Sequence, residues 1–263
     1  MPLRAVLFDL FDTLVDLRFE DLPRVEVGGR RLPASLLRLH EIAAARAPGP
    51  APVGFEAFAE ALVETDRSFE ESHFRVNREL PTRERFAAVA SRLGLEDPEL
   101  PELLTRTHMA FFREQASAPG HHRGLLADLR RELRLGLCSN FSHAETAHRI
   151  LAETGLAPHL ASVAISESVG IRKPGREIFE AVLRGLAVAP GEALHVGDSL
   201  RADVAGAAAL GIRTVWITRR VPDPERALRE HAGPPPDWQI RDLAELPRVL
   251  EEASTTSLPG LDT

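Results

Sequence analysis

Apolar residues fall in two different rhythms along this chain. The first is a set of short unbroken runs, each the length of a buried strand: Ala5-Val6-Leu7-Phe8, then residues 135–138, 162–165, 193–196 and 214–217. Between the later runs, apolar positions recur three and four residues apart at 143–153, 177–186 and 202–210. Several of these helical stretches stop near a glycine such as Gly155 or Gly211. Strands that alternate with helices join through right-handed crossovers into a parallel sheet covered on both faces. The pattern predicts an α/β fold, a Rossmann-like parallel sheet core flanked by helices.

Residues 15–118 keep the second rhythm. Amphipathic helix is predicted at 35–47, 55–79, 82–93 and 99–115. Only Val25-Glu26-Val27-Gly28-Gly29-Arg30-Arg31-Leu32 reads as a hairpin, because a Gly-Gly pair separates two strand-like pieces. The expected organisation is a core of residues 1–14 and 119–253 with a mostly helical lobe, 15–118, inserted after the first strand. A Pro- and Gly-rich break at 47–54 interrupts that lobe, and the tail 254–263, which has no periodicity, is expected to be disordered.

Open parallel sheets bind ligands beyond the carboxyl ends of their strands, and four of those ends carry chemistry. Asp9 ends the first run, where a carboxylate serves equally as a turn former. Ser139-Asn140 ends the next; a hydroxyl and free N–H groups before a helix attract anions, although both residues are also ordinary caps. Arg172-Lys173-Pro174 precedes a helix. His195-Val196-Gly197-Asp198 ends a further run, with Asp203 five residues on. Carboxylates facing one another across strand ends suit Mg²⁺, which takes one or two of them together with water and phosphate oxygens.

Composition sharpens one of these signals. Of 32 basic residues, 31 are arginine and Lys173 alone is lysine. Arginine presents a wide planar fork and lysine a compact ammonium, so the lone lysine marks a position that rejects guanidinium, unless it is chance in an arginine-biased gene. The remaining composition mainly excludes. Hydrophobic residues at 44% and charged residues at 27% are globular proportions. A net charge of −7 gives no reason to expect nucleic acid or an anionic membrane as partner. The start, MPLRAVLFDLFD, has no signal-peptide pattern, and no apolar run reaches the roughly 20 residues of a membrane helix. Cys138 is the single cysteine, which rules out an intrachain disulfide and a cysteine zinc cluster. The expected setting is cytoplasmic and the expected partner a small molecule, with oligomeric state open.

In order and spacing, Asp9-Leu10-Phe11-Asp12-Thr13-Leu14, Ser139-Asn140, Lys173-Pro174 and Gly197-Asp198 with Asp203 resemble the four motifs of the haloacid dehalogenase-like (HAD) hydrolase superfamily. The wording is closest to its phosphatase-like branch, and the insert resembles the helical cap that some members carry between motifs one and two. The resemblance implies that Asp9 is a nucleophile forming a covalent aspartyl intermediate. It places Ser139, Asn140 and Thr13 around the phosphoryl group and the first loop. Lys173 would neutralise the nucleophile and the transferring group. Mg²⁺ would be held by Asp9, Asp198 and the main-chain carbonyl of Phe11, with Asp203 behind, orienting the metal site or Lys173. The implied activity is a Mg²⁺-dependent phosphatase acting on a small phosphorylated metabolite.

One position departs from that pattern. Phosphatases of the superfamily carry a second aspartate two residues after the nucleophile, which protonates the leaving group and later activates water; here it is Phe11. Asp12 stands one residue further on, where glycine is common, and a one-residue step in extended chain points a side chain elsewhere. Its expected role is capping the turn. Loss of the acid should cost about 10²–10⁴-fold on poor leaving groups and little on good ones. Three readings follow: a phosphatase restricted to activated phosphates or borrowing an acid from cap or substrate, a 2-haloacid dehalogenase, and a catalytically weak binding or regulatory protein. Dehalogenases lack the second aspartate, but they carry a Ser-Asn loop where Gly197-Asp198 stands. They also use a tyrosine downstream of the lysine, where this chain has Phe179 and no tyrosine at all. A phosphonatase would need a cap lysine, and the insert has none. His121 and His122, where the chain returns from the insert, are linker histidines or a replacement acid. His195 and Cys138 read as core residues, Arg30 and Arg31 as a solvated hairpin, Phe69 and Phe74 as core of the insert.

Overall fold

The fold is that of a computed structural model that describes residues 2–18, 24–27, 30–47 and 53–255. The apolar runs are strands. β1 (Ala5–Phe8) is buried along its whole length, as a strand with helices on both faces must be. It is followed by β2 (Asp16–Leu17), β3 (Arg24–Val27), β4 (Arg30–Pro33), β5 (Ala116–Ser117) and β6 (Arg134–Ser139). β7 (Ser162–Ile165), β8 (Ala193–Gly197), β9 (Arg213–Ile217) and β10 (Trp238–Ile240) complete the order. One sheet runs β10-β9-β8-β1-β6-β7, with every neighbouring pair parallel. The chain builds outward from β1 to one edge through β6 and β7, then to the other through β8, β9 and β10. That reversal leaves a crevice beyond the carboxyl ends of β6, β1 and β8.

Period-two alternation sends Val6, Phe8, Leu137 and Val196 into one hydrophobic layer and Ala5, Leu7 and Cys138 into the other. The helix Arg176–Leu186 covers the second layer with Ile178, Phe179, Val182, Leu183 and Leu186. The helix Leu246–Thr255 covers the first with Leu246, Val249, Leu250 and Ala253. Ser254 and Thr255, expected in a disordered tail, thus belong to a helix, and their hydroxyls donate to the Leu250 and Glu251 carbonyls at 2.8 and 3.2 Å. Residues 256–263 of that tail lie outside the described residues. β10 was not among the predicted strands because its three residues, one of them Gln239, make too short an apolar run.

Within the insert, the helices Ala34–Ala44, Phe55–Ser68, Thr82–Arg92 and Leu100–Gln115 pack around a cluster of their own that includes Phe58, Phe86, Leu100 and Leu104. The predicted helix 55–79 ends early. A π-helical turn, Glu70–Phe74, follows it, and Asn77 at φ 56° turns the chain. Phe69 and Phe74 are half-buried and stand outside the insert's cluster, contrary to expectation; Phe69 packs on the His73 ring at 4.8 Å. β3 and β4 pair antiparallel as the predicted hairpin. Its Gly28-Gly29 turn, the side chains of Arg30 and Arg31 and most of the predicted break, residues 48–52, lie outside the description.

The insert is joined to the rest of the chain at several places, among them Thr82 N donating to Ser142 O at 3.0 Å. β2 pairs antiparallel with β5, so the outgoing and returning chain form a short ribbon. Further on, Glu79 N donates to Gly170 O at 2.9 Å and Arg172 N to Asn77 O at 2.7 Å. The buried Glu79 carboxylate accepts from Arg172 Nη1 at 2.8 Å and from the Ser166 hydroxyl. Among the described residues, no helix is long and apolar enough to cross a membrane.

Candidate active site

Asp9 follows β1 directly, its N–H donating to Val196 O on β8 at 2.9 Å. The loop then closes tightly: Leu14 N and Val15 N both donate to Leu10 O, and Asp12 N donates to Val15 O at 2.7 Å. Asp12 sits at φ 57°, a left-handed conformation that Asn and Asp tolerate better than most residues. It holds the turn through its main chain, while its carboxylate lies 3.4 Å from Arg220 Nε.

Lys173 is 4% exposed and donates from Nζ to Asp9 Oδ1 and to Asp203 Oδ1, both at 2.6 Å. Burial works to strip its proton, but the Asp203 and Asp9 carboxylates outweigh it and hold the ammonium above its ordinary range. Asp203 shows the reverse. Burial disfavours its charge, yet Lys173 and His195 keep it below the usual carboxylate range. Both its oxygens are engaged: Oδ1 by Lys173 and by His195 Nε2 at 2.8 Å, Oδ2 by Ser199 N at 3.0 Å. A π-helical turn, Leu200–Ala205, carries Asp203, where a plain helix was predicted; such turns are frequent at functional sites. Gly197 permits the approach, since a Cβ there would come within 2.2 Å of Asp203 Cγ.

Asp198, at the end of β8, accepts from Trp216 Nε1 at its main-chain oxygen, 2.7 Å away. Its carboxyl is pushed up to about 8 by burial and by the neighbouring Asp9 and Asp203 charges. Carboxylate oxygens of Asp9, Asp198 and Asp203 lie within 4.8 Å of one another. The structure therefore brings together the four strand-end signals of the sequence. Ser139 ends β6, and its Oγ and the Thr13 Oγ1 are buried with no protein hydrogen-bond partner. Asn140, the next residue, has a second part beside the phosphate-site role expected of it. Its side-chain amide is spent on the Lys173 backbone, accepting from Lys173 N at 2.6 Å and donating to Lys173 O at 3.0 Å. It positions the lysine, and only its main-chain N–H is left for an anion.

His195 is a buried, hydrogen-bonded core residue, as expected of it, and its partner ties it to the site. It lies inside a strand, as predicted, and its ring bonds Asp203 and packs on Phe179 at 5.2 Å. The available signal was a single polar residue in an otherwise apolar strand, two residues before Gly197. His121 and His122 are engaged elsewhere, with Asp242 and the Leu14 carbonyl. Cys138 is buried in the sheet and burial pushes its thiol up, as befits an inert core residue.

Phe11 begins an aromatic path. Its ring meets Phe141 edge-on at 4.8 Å, Phe141 meets Phe112 at 5.4 Å, Phe112 meets His108 at 5.1 Å and His108 meets Phe86 at 5.6 Å. The path joins the loop after β1 to the core of the inserted helices.

At its strand ends the parallel sheet gathers carboxylates, a buried ammonium and two hydroxyls that find no protein hydrogen-bond partner, the makings of a hydrolase site. A family model described as haloacid dehalogenase-like hydrolase matches residues 3–211, and the chain belongs to that family. It is 38% identical over 151 residues to the phosphoserine phosphatase of Thermus thermophilus, an alignment spanning 56% of this chain and 57% of that one. To the glyceraldehyde 3-phosphate phosphatase of Pyrococcus furiosus it is 27% identical over 252 residues, 95% of this chain and 93% of that one. The crystal structure of a 2-haloacid dehalogenase from Pseudomonas syringae superposes with a TM-score of 0.68 at 26% identity, covering 95% of this chain and 99% of that one.

Proposed function

We propose that this hydrolase is a Mg²⁺-dependent phosphatase acting on a small phosphorylated metabolite through an aspartyl phosphate on Asp9. The observation that carries this reading is Lys173 Nζ at 2.6 Å from both Asp9 and Asp203, with Asp198 beside them. The Asp9 carboxylate attacks phosphorus, the P–O bond to the leaving group breaks, and water then cleaves the acyl phosphate. Lys173 offsets negative charge on the nucleophile and on the transferring group without reorganising. The Ser139 and Thr13 hydroxyls supply donors that find no partner within the protein.

A cluster of hard carboxylate oxygens within 4.8 Å fits Mg²⁺. Asp9, Asp198 and the Phe11 carbonyl would hold it, and bound there it would screen the nucleophile from the phosphoryl oxygens. Asp203, with both oxygens already engaged, acts through Lys173. Residues 15–118 serve as a cap over the strand ends of a core formed by 1–14 and 119–253. With Phe11 where an acid usually stands, the substrates are those whose leaving group departs without a proton: acyl, enol or aryl phosphates.

Assay of acetyl phosphate, p-nitrophenyl phosphate, sugar phosphates and 2-chloropropionate, with Mg²⁺ and with chelator, tests this. Mg²⁺-dependent phosphate release, fastest from acetyl phosphate, is expected. Dehalogenation of 2-chloropropionate that survives chelation would establish the second reading, a haloacid dehalogenase, which Phe11 favours. No turnover together with no beryllofluoride adduct on Asp9 would leave a binding or regulatory role.

A further inference from the structure

Away from the strand ends, His121, His122 and Asp242 gather two imidazoles and a carboxylate, their ligating atoms all within 4.8 Å of one another. His121 precedes the helix His122–Leu129, and Asp242 caps the turn Leu243–Glu245. His121 Nε2 is 2.7 Å from Asp242 Oδ1, and the two imidazole rings are 4.6 Å apart.

His122 is the informative member. It is fully buried, and its Nδ1 lies 2.9 Å from the Leu14 carbonyl, which can only accept. Nδ1 therefore carries the hydrogen and Nε2 the lone pair. That Nε2 is buried without a hydrogen-bond partner. An imidazole that donates from one nitrogen to a main-chain carbonyl and keeps the other without a partner is held as metal-binding histidines are held.

We propose that His121, His122 and Asp242 form a second cation site, for a borderline transition metal such as Zn²⁺. Two imidazoles and one carboxylate favour such ions over Mg²⁺, and three protein ligands leave one position for water. Arg219 Nε is 3.8 Å from Asp242 Oδ2, but Nη1 and Nη2 of the same guanidinium are committed to Asp16 at 2.7 and 2.6 Å. The Asp16–Arg219–Asp242 group thus keeps a net negative charge. His121 and Asp242 are partly exposed, which gives an ion its route in. An occupied site would tie the helix His122–Leu129 to the Asp242 turn beside Leu14, at the base of the β2–β5 ribbon. Its effect is to stiffen the root of the inserted helices, and it does not depend on the phosphatase reading.

Zn²⁺ titration by calorimetry, with bound metal counted by mass spectrometry, is done on the full chain with Mg²⁺ in large excess to occupy the strand-end carboxylates. One Zn²⁺ per chain is expected, with a rise in Tm. Binding should disappear in His122→Ala and weaken by at least about tenfold in the more exposed His121→Ala and Asp242→Asn. Asp198→Asn should bind Zn²⁺ as before. No Zn²⁺ retained by the wild type against Mg²⁺, or unchanged affinity in both His121→Ala and Asp242→Asn, would overturn the site. So would loss of binding in Asp198→Asn alone.

Discussion

On the β8 side of Asp9, Lys173, Asp203, His195 and Ser199 bond to one another through buried charged and polar atoms. On the side of the first loop, Phe11, Phe141 and Phe112 stack edge-on toward the inserted helices. The first is an electrostatic assembly that fixes the Asp9 carboxylate against a buried cation; the second offers no proton and no charge. On the proposed reading, the parts that would serve attack are present while packing stands where the part serving departure is expected. That reading predicts selectivity by leaving group rather than loss of the chemistry.

The most damaging change should fall on the polar side. Lys173→Arg puts a planar fork where a point charge meets two carboxylates at 2.6 Å. Turnover of acetyl phosphate should fall about 10³-fold, measured as phosphate release under saturating Mg²⁺. A drop of only a few-fold would mean that the lone lysine reflects codon usage. On the aromatic side, Phe11→Asp should act in the opposite direction. It should raise hydrolysis of sugar phosphates about 10²-fold and leave acetyl phosphate little changed. An equal gain on both substrates would break the contrast, because better leaving groups need no acid.

Much of the polar side was legible in the sequence. Alternating strand and helix periods located the strand ends, and chemistry at four of them singled out Asp9, Ser139, Lys173, Asp198 and Asp203. Periodicity does not say which oxygen meets which donor. So the sequence marks Asn140 as a phosphate-site residue without showing that its amide holds the Lys173 backbone, and His195 as a satisfied core residue without naming Asp203 as its partner. The predicted helix 55–79 overran because Glu70, Glu71 and Ser72 fit a polar helix face equally well as a π-helical turn. The aromatic path brings Phe11 and Phe112, from different elements, onto Phe141, which no local pattern can register.

A smaller effect tests how the aromatic side is anchored. Glu79, in the insert, is buried and holds Arg172 and Ser166, one residue before Lys173 and next to the Phe141 backbone. Glu79→Ala leaves Arg172 without its partner. Because Arg172 is partly exposed, the loss should be below that of a fully buried pair, about 2 kcal/mol or roughly 4–8 °C in Tm. Activity should also fall, since the Lys173 loop loses the side-chain part of its tether to the insert. Thermal melts showing less than about 1 °C change would mean that the main-chain bonds of this contact, Glu79 N to Gly170 O and Arg172 N to Asn77 O, hold it without the carboxylate.

The smallest effect separates the two sides by pH. His108, between Phe86 and Phe112, is pushed down to about 4 by burial and by the Arg85 charge, from an ordinary value of 6.5. Above pH 6.5 neither folded nor unfolded chain holds a proton on this ring. Between 6.5 and about 4 the unfolded chain binds one and the folded chain does not, so stability falls as pH falls through that window and levels below it. Asp203 responds lower. Its folded value lies below the ordinary 3.8, so its contribution is present above that pH and is lost as pH falls further. The insert should therefore weaken first on acidification and the polar site later. His108→Gln should flatten the decline of Tm between pH 6.5 and 4.5 by about 2–4 °C relative to the wild type. The slopes rather than the absolute values are compared, because the variant also loses ring contacts at every pH. His122, which burial also lowers, titrates in both proteins and cancels. Parallel curves would show that the ring reaches solvent and that the aromatic path is looser than its packing distances imply.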